Sequence, residues 1–96
     1  MTIAVSAFYK FVRIEDPLAL RDDLRADLSA RAMKGTILVA PEGINGTISG
    51  APGDMAAFLA MLRADPRFAD LLTKDAAATG HPFKRLKVKL KREIIQ

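Results

Sequence analysis

Between Lys34 and Gly50 the chain reads KGTILVAPEGINGTISG, two alternating apolar and polar stretches interrupted by Pro41 and Gly43. Lys34 to Ala40 is rich in β-branched and apolar residues. In the second stretch Ile44 and Ile48 share one face, and Asn45, Thr47 and Ser49 share the other, which predicts a hairpin with one buried face. Ala4 to Val12 also alternates, with Val5, Ala7, Tyr9 and Phe11 opposite Ala4, Ser6, Phe8, Lys10 and Val12. Both of its faces are largely apolar, as in an interior strand.

Two segments carry helical spacing instead. Asp16-Pro17 predicts a helix start, with the aspartate side chain accepting a free backbone N–H and proline in the first turn. Leu20, Leu24 and Leu28 then mark one face of a helix reaching about Ala32, which Lys34-Gly35 ends. Pro52 opens a second helix in which Met55, Phe58, Leu59 and Leu62 form a buried stripe, and Asp65-Pro66 stops it. Leu71 to Ala77 reads as a weaker strand, Thr79-Gly80-His81-Pro82 as a turn and Phe83 to Ile95 as a closing strand. Strand, helix, strand, strand, helix, strand, with one strand extra, is the ferredoxin-like βαββαβ plan of the α+β class, in which two helices cover one face of an antiparallel sheet.

Composition narrows this further. The 96 residues suit one domain, residues 1–96, and half are hydrophobic, as in globular chains. Cysteine is absent and histidine occurs once, which argues against disulfides, thiol catalysis and an ordinary zinc site; neither metal nor cofactor is expected. The longest apolar run, Met55 to Leu62, falls far short of the roughly 20 residues that span a bilayer, so a cytoplasmic location without membrane contact is expected. Of the net charge of +4, Lys84 to Gln96 contributes six basic residues and one acid, leaving nine basic and ten acidic groups in the rest. The positive field is thus concentrated at one end of the sequence.

That end alternates. Leu86, Val88 and Leu90 interleave with Arg85, Lys87, Lys89 and Lys91, so a pleated strand sets four cations in a row. Two readings stand: a charged edge that resists sheet-to-sheet aggregation, or a phosphate-binding strip with salt-dependent affinity and no sequence readout. Phe8, Tyr9 and Phe11 suggest a stacking platform, but they lack the aromatic pattern of RNA-recognition sheets and read as core. Gly43, Asn45 and Gly46 form a bare GxxG, read as a tight turn with a bulge in which Asn45 takes left-handed geometry or bonds its own backbone. His81 lacks an orienting carboxylate or nucleophile in sequence and reads as exposed. A weak acylphosphatase would use Arg13 and Asn45, but residues 12–16 lack the glycines of a phosphate cradle.

Phe8-Tyr9-Lys10-Phe11, the whole Lys34 to Gly50 stretch, Phe58-Leu59, Asp65-Pro66-Arg67-Phe68 and Pro82 to Lys89 with Lys91 and Glu93-Ile94 together resemble the amino-terminal, acylphosphatase-like domain of the rhodanese-related tRNA uridine hydroxylases. The resemblance implies an accessory domain of an enzyme performing oxygen-dependent 5-hydroxylation of the wobble uridine, with a loop cysteine in a following rhodanese domain as the expected catalytic residue. Without cysteine, this chain carries no catalytic residue over, and it reads as a fragment whose rhodanese partner is absent. What the resemblance leaves is tRNA binding through Arg85, Lys87, Lys89 and Lys91, with Lys10, Lys34 and the turn at Gly43, Asn45 and Gly46 as further contacts. The alternative is a purely structural docking module.

Overall fold

A computed structural model describes residues 2–93. In chain order it contains β1 (Ile3–Phe11), α1 (Pro17–Ala30), β2 (Lys34–Ala40), β3 (Gly43–Gly50), α2 (Pro52–Ala64), a 3-10 turn (Pro66–Phe68), β4 (Thr73–Ala78) and β5 (Leu86–Leu90). The strands stand in the order β4-β1-β3-β2-β5, antiparallel except for the parallel β2–β5 pair. This is the expected α+β, ferredoxin-like and acylphosphatase-like architecture, with β5 as the additional strand.

The core lies between the helices and one sheet face. Leu20, Leu24 and Leu28 of α1 and Met55, Phe58, Leu59 and Leu62 of α2 are buried against Phe8, Ile37, Val39, Ile44, Ile48 and Val88. Each such side chain contributes roughly 1.5–3 kcal/mol of burial. Helix α1 lies over β2 and β5, and α2 over β1 and β3. At the end of α1, Met33 N–H bonds the Leu28 carbonyl and Ala32 N–H that of Ser29, with Ala32 at φ 55°. This Schellman closure ends the helix at Ala30, two residues before the expected limit.

Four expectations are corrected. The hairpin turns at Pro41-Glu42, whereas Gly43, Asn45 and Gly46 all lie within β3 and Asn45 is not left-handed. Gly46 is needed for packing: a Cβ there would meet the Ile37 side chain at 2.9 Å and the Phe8 ring at 3.2 Å. The Asp16 side chain makes no cap bond; it accepts from Arg67 at 2.7 Å, a charge-assisted contact that outcompetes a neutral N–H. The basic strand is shorter than Phe83 to Ile95, because only Leu86–Leu90 find β2 alongside; Ile94 and Ile95 lie outside the described residues.

The direction of β5 follows from the path into it. Ala78 pairs with Ile3 at the start of β1, and Leu86 pairs with Gly35 near the start of β2. Residues 79–85 therefore cross one end of the sheet and enter beside β2 running the same way. In passing they cover part of the sheet's helix-free face: His81 Nδ1 lies 2.9 Å from Oγ of the buried Ser49, and Lys34 Nζ donates to the Lys84 carbonyl at 3.4 Å. His81 thus has a partner the sequence did not suggest.

Candidate nucleic-acid interface

Pleating decides which side chains share the helix-free face. Register lines up two rows across it. One runs Tyr9, Asn45, Leu38 and Lys89, and the other Lys74, Ala7, Thr47, Thr36 and Lys87. Both rows end in a cation of β5, and the second begins with a cation of β4.

The β5 cations are held by backbone, not by side-chain partners. Gly35 N–H donates to the Arg85 carbonyl at 2.9 Å and Lys91 N–H to the Val39 carbonyl at 2.8 Å, so the ladder extends one residue beyond each end of the strand. Val88 is buried and Leu86 packs on the core, while Arg85, Lys87, Lys89 and Lys91 are exposed. None of the four is ion-paired among the described residues. Arg21 and Arg25 of α1 border a groove along the same edge with Lys87, Lys89 and Lys91. Arg21 is ion-paired with Asp22 at 2.7 Å, so Arg25 is the one that adds to the positive field, a part hidden in sequence because α1 lies far from the basic segment along the chain.

The other sequence candidates divide. Lys34 lies near the start of β5 through its contact with Lys84. Lys10 falls on the helix-bearing side, opposite Ile44, and forms an ion pair with Asp70, which separates it from the strip. Asn45 lies in the Tyr9 row, and Gly43 and Gly46 are strand positions that a turn-borne phosphate clamp cannot use.

The aromatic cluster also departs from expectation. Phe8 is core, but Tyr9 and Phe11 are 47% and 49% exposed, with rings edge-to-face at 4.9 Å between centroids. Beside Tyr9 a shallow cavity of about 390 Å³ is lined by Ala7, Thr47, Leu72 and Lys74, and Leu72 is 84% exposed. Leu72 and Lys74 were missed because the segment from Leu71 carries little alternation.

Residues 12–16 form no phosphate cradle. Val12 N–H is bonded to the Glu42 carbonyl at 3.0 Å and Ile14 N–H to that of Pro41 at 2.8 Å; no residue there has positive φ, and Arg13 faces Glu15 at 3.5 Å. A nest needs free, converging N–H groups. Nearby, Arg67 ties the 3-10 turn to the start of α1 through Asp65 and Asp16, both at 2.7 Å. Hydrogen bonds from Arg67 hold the Asp65 carboxyl below its usual range, and those carboxylates raise the Arg67 guanidinium. The cluster is structural, since its charges are satisfied internally.

The sequence pattern of the UPF0176 acylphosphatase like domain matches residues 3–94. The chain belongs to that family. Relatives named tRNA uridine(34) hydroxylase include one from Variovorax paradoxus, 54% identical over 94% of this chain and 34% of its own length. Another, from Bordetella avium, is 48% identical over the whole chain and 40% of its own length. The chain thus spans little more than a third of the length of these relatives. Among solved structures, BlrB, a BLUF protein in its dark state, is 20% identical with a TM-score of 0.65, covering 90% of this chain and 72% of that one. Klebsiella pneumoniae BlrP1 is 12% identical with a TM-score of 0.70, covering 95% and 24%. These two share the fold alone. Among the described residues no helix is long and apolar enough to cross a membrane, and no three His, Asp or Glu side chains are grouped to hold a metal.

Proposed function

We propose that this domain holds tRNA for a uridine hydroxylase of the rhodanese-related type, binding backbone phosphates through Arg85, Lys87, Lys89 and Lys91 with Lys34 beside them. Residues 1–96 act as one accessory domain, and catalysis belongs to a rhodanese domain on which it works. The reading is carried by one observation: Arg85, Lys87, Lys89 and Lys91, in β5 and directly at its two ends, are exposed on a backbone-fixed edge without carboxylate partners among the described residues. Repulsion along such a row disfavours it unless an anion is bound, and the relatives' names supply one in tRNA.

Neutralising four phosphates on single-stranded RNA gives a slope of log affinity against log salt of about −3, at roughly 0.7 per contact. Titration of tRNA at several salt concentrations tests this. Replacing Arg85, Lys87, Lys89 and Lys91 together by Ala is expected to flatten most of the slope, leaving the small remainder from lysines outside the strip such as Lys34, whereas Lys10→Ala, on the opposite side, leaves it unchanged. Undiminished tRNA binding by the fourfold variant refutes the proposal.

Docking on the remainder of such an enzyme is the second reading, favoured by the 84% exposure of Leu72. It predicts no RNA affinity in this chain and a change at Leu72 that weakens association with the rhodanese portion.

A further inference from the structure

The β5 strip accounts for one border of the helix-free face and leaves its centre unexplained. There, two aromatic rings sit half exposed on β1, the strand flanked by β4 and β3. An exposed aromatic on an interior strand keeps apolar area in water that a polar residue would spare. Ala7 and Thr47 floor a trough beside them, with Tyr9 and Leu72 standing above it and Lys74 at one end; the same register row continues through Thr36 to Lys87. Strand spacing of about 4.8 Å puts the Tyr9 backbone about 14 Å from that of Lys89 in the same row. None of the strand positions facing this side bears a carboxylate: Asp75, the one acid within the strands, turns to the helix side and accepts from Ser6 at 2.7 Å.

We infer that this trough takes one unpaired nucleobase of a single-stranded RNA segment, stacked on Tyr9 or Phe11, with Lys74 and Lys87 engaging the backbone on either side. The inference rests on the RNA-holding function and adds which part of the RNA is held. An aromatic face on a rigid sheet is useful to a splayed-out base and useless to a duplex, whose bases are already stacked and whose edges lie within grooves. The edge-to-face geometry, 78° between ring planes, leaves one ring face available for a single base in place of a platform for two. Cations at both ends of the row favour a polyanion over a second protein surface, and the cavity of about 390 Å³ beside Lys74 lies within the ~300–1,000 Å³ of small-molecule sites.

The test compares a short oligouridylate with a blunt RNA duplex, using fluorescence anisotropy at two salt concentrations. The double change Tyr9→Ala, Phe11→Ala is expected to weaken the oligouridylate roughly tenfold, with an unchanged salt slope and no effect on the duplex. Lys87→Ala with Lys89→Ala is expected to weaken both and flatten the slope. Tyr9→Leu with Phe11→Leu keeps apolar area without a π-face and is expected to behave like the alanine pair; circular dichroism checks that each variant folds. Tyr9 is the single tyrosine and tryptophan is absent, so tyrosine emission reports this trough alone, and its quenching by oligouridylate is the direct signature.

Aromatic-to-alanine binding within about twofold of wild type, with the lysine variant still impaired, overturns the stacking inference and leaves the phosphate strip standing. Wild-type affinity by the leucine pair overturns it equally, because apolar area alone then suffices. A wild-type chain that binds neither RNA removes the functional reading itself.

Discussion

Replacing Gly35 by alanine tests whether β2 is held as closely between its neighbours as the structure shows. Gly35 has φ 122°, and a Cβ built there would lie 2.2 Å from the Thr47 carbonyl oxygen and 2.7 Å from the Ile48 Cα. Both are backbone atoms of β3, so no side-chain rotation relieves the contact, and β2 and β3 must part by about 1 Å to restore ordinary separation. The dihedral strain costs about 1–3 kcal/mol. The separation weakens one or two ladder bonds at about 1 kcal/mol each, and Gly35 N–H also holds the Arg85 carbonyl at the entry to β5. The total is about 4 kcal/mol out of the ~5–15 that stabilise a domain. At roughly 4–8 °C per kcal/mol for this size, thermal unfolding followed by circular dichroism should show a fall of about 16–32 °C. Gly53→Ala is the internal control: nothing lies within 4 Å of its Cβ position in the first turn of α2, and a gain of up to about 1 kcal/mol is expected. A Gly35→Ala midpoint within about 3 °C of wild type would refute the close approach of β2 and β3.

Ala32→Gly relieves the one left-handed non-glycine residue among those described and is expected to raise stability by about 0.5–1 kcal/mol in urea unfolding, since glycine reaches φ 55° without a Cβ penalty. Asp65 gives a pH dependence. Its folded carboxyl titrates below the ordinary value of 3.8, so its contribution is complete above that pH and is lost as pH falls through the depressed folded value. Asp65→Asn should therefore be less stable than wild type at neutral pH, with the difference shrinking below about pH 4 in acid unfolding curves.

Periodicity made the helices, the hairpin strands and the basic alternation legible, because each needs only local spacing. What stayed hidden depends on register. Tyr9 and Phe11 lie on a strand apolar on both faces, and nothing in the sequence says which face the helices cover. Lys10 is indistinguishable from the strip cations until pairing with Ile44 puts it on the helix side beside Asp70. Gly43 and Gly46 looked like turn residues because glycine serves both sharp bends and close packing. Asp16 looked like a cap because Arg67 is 51 residues away.

The parallel strand β5 touches the sheet through β2 alone, and Val88 is its one buried side chain. The other four strands are the ferredoxin-like set, and β5 adds to them only Val88 and the packing of Leu86 beneath α1. Anion affinity can therefore be retuned residue by residue along this margin at almost no expense to the folded body, so that sequences sharing the same architecture can differ widely in how strongly they grip a polyanion.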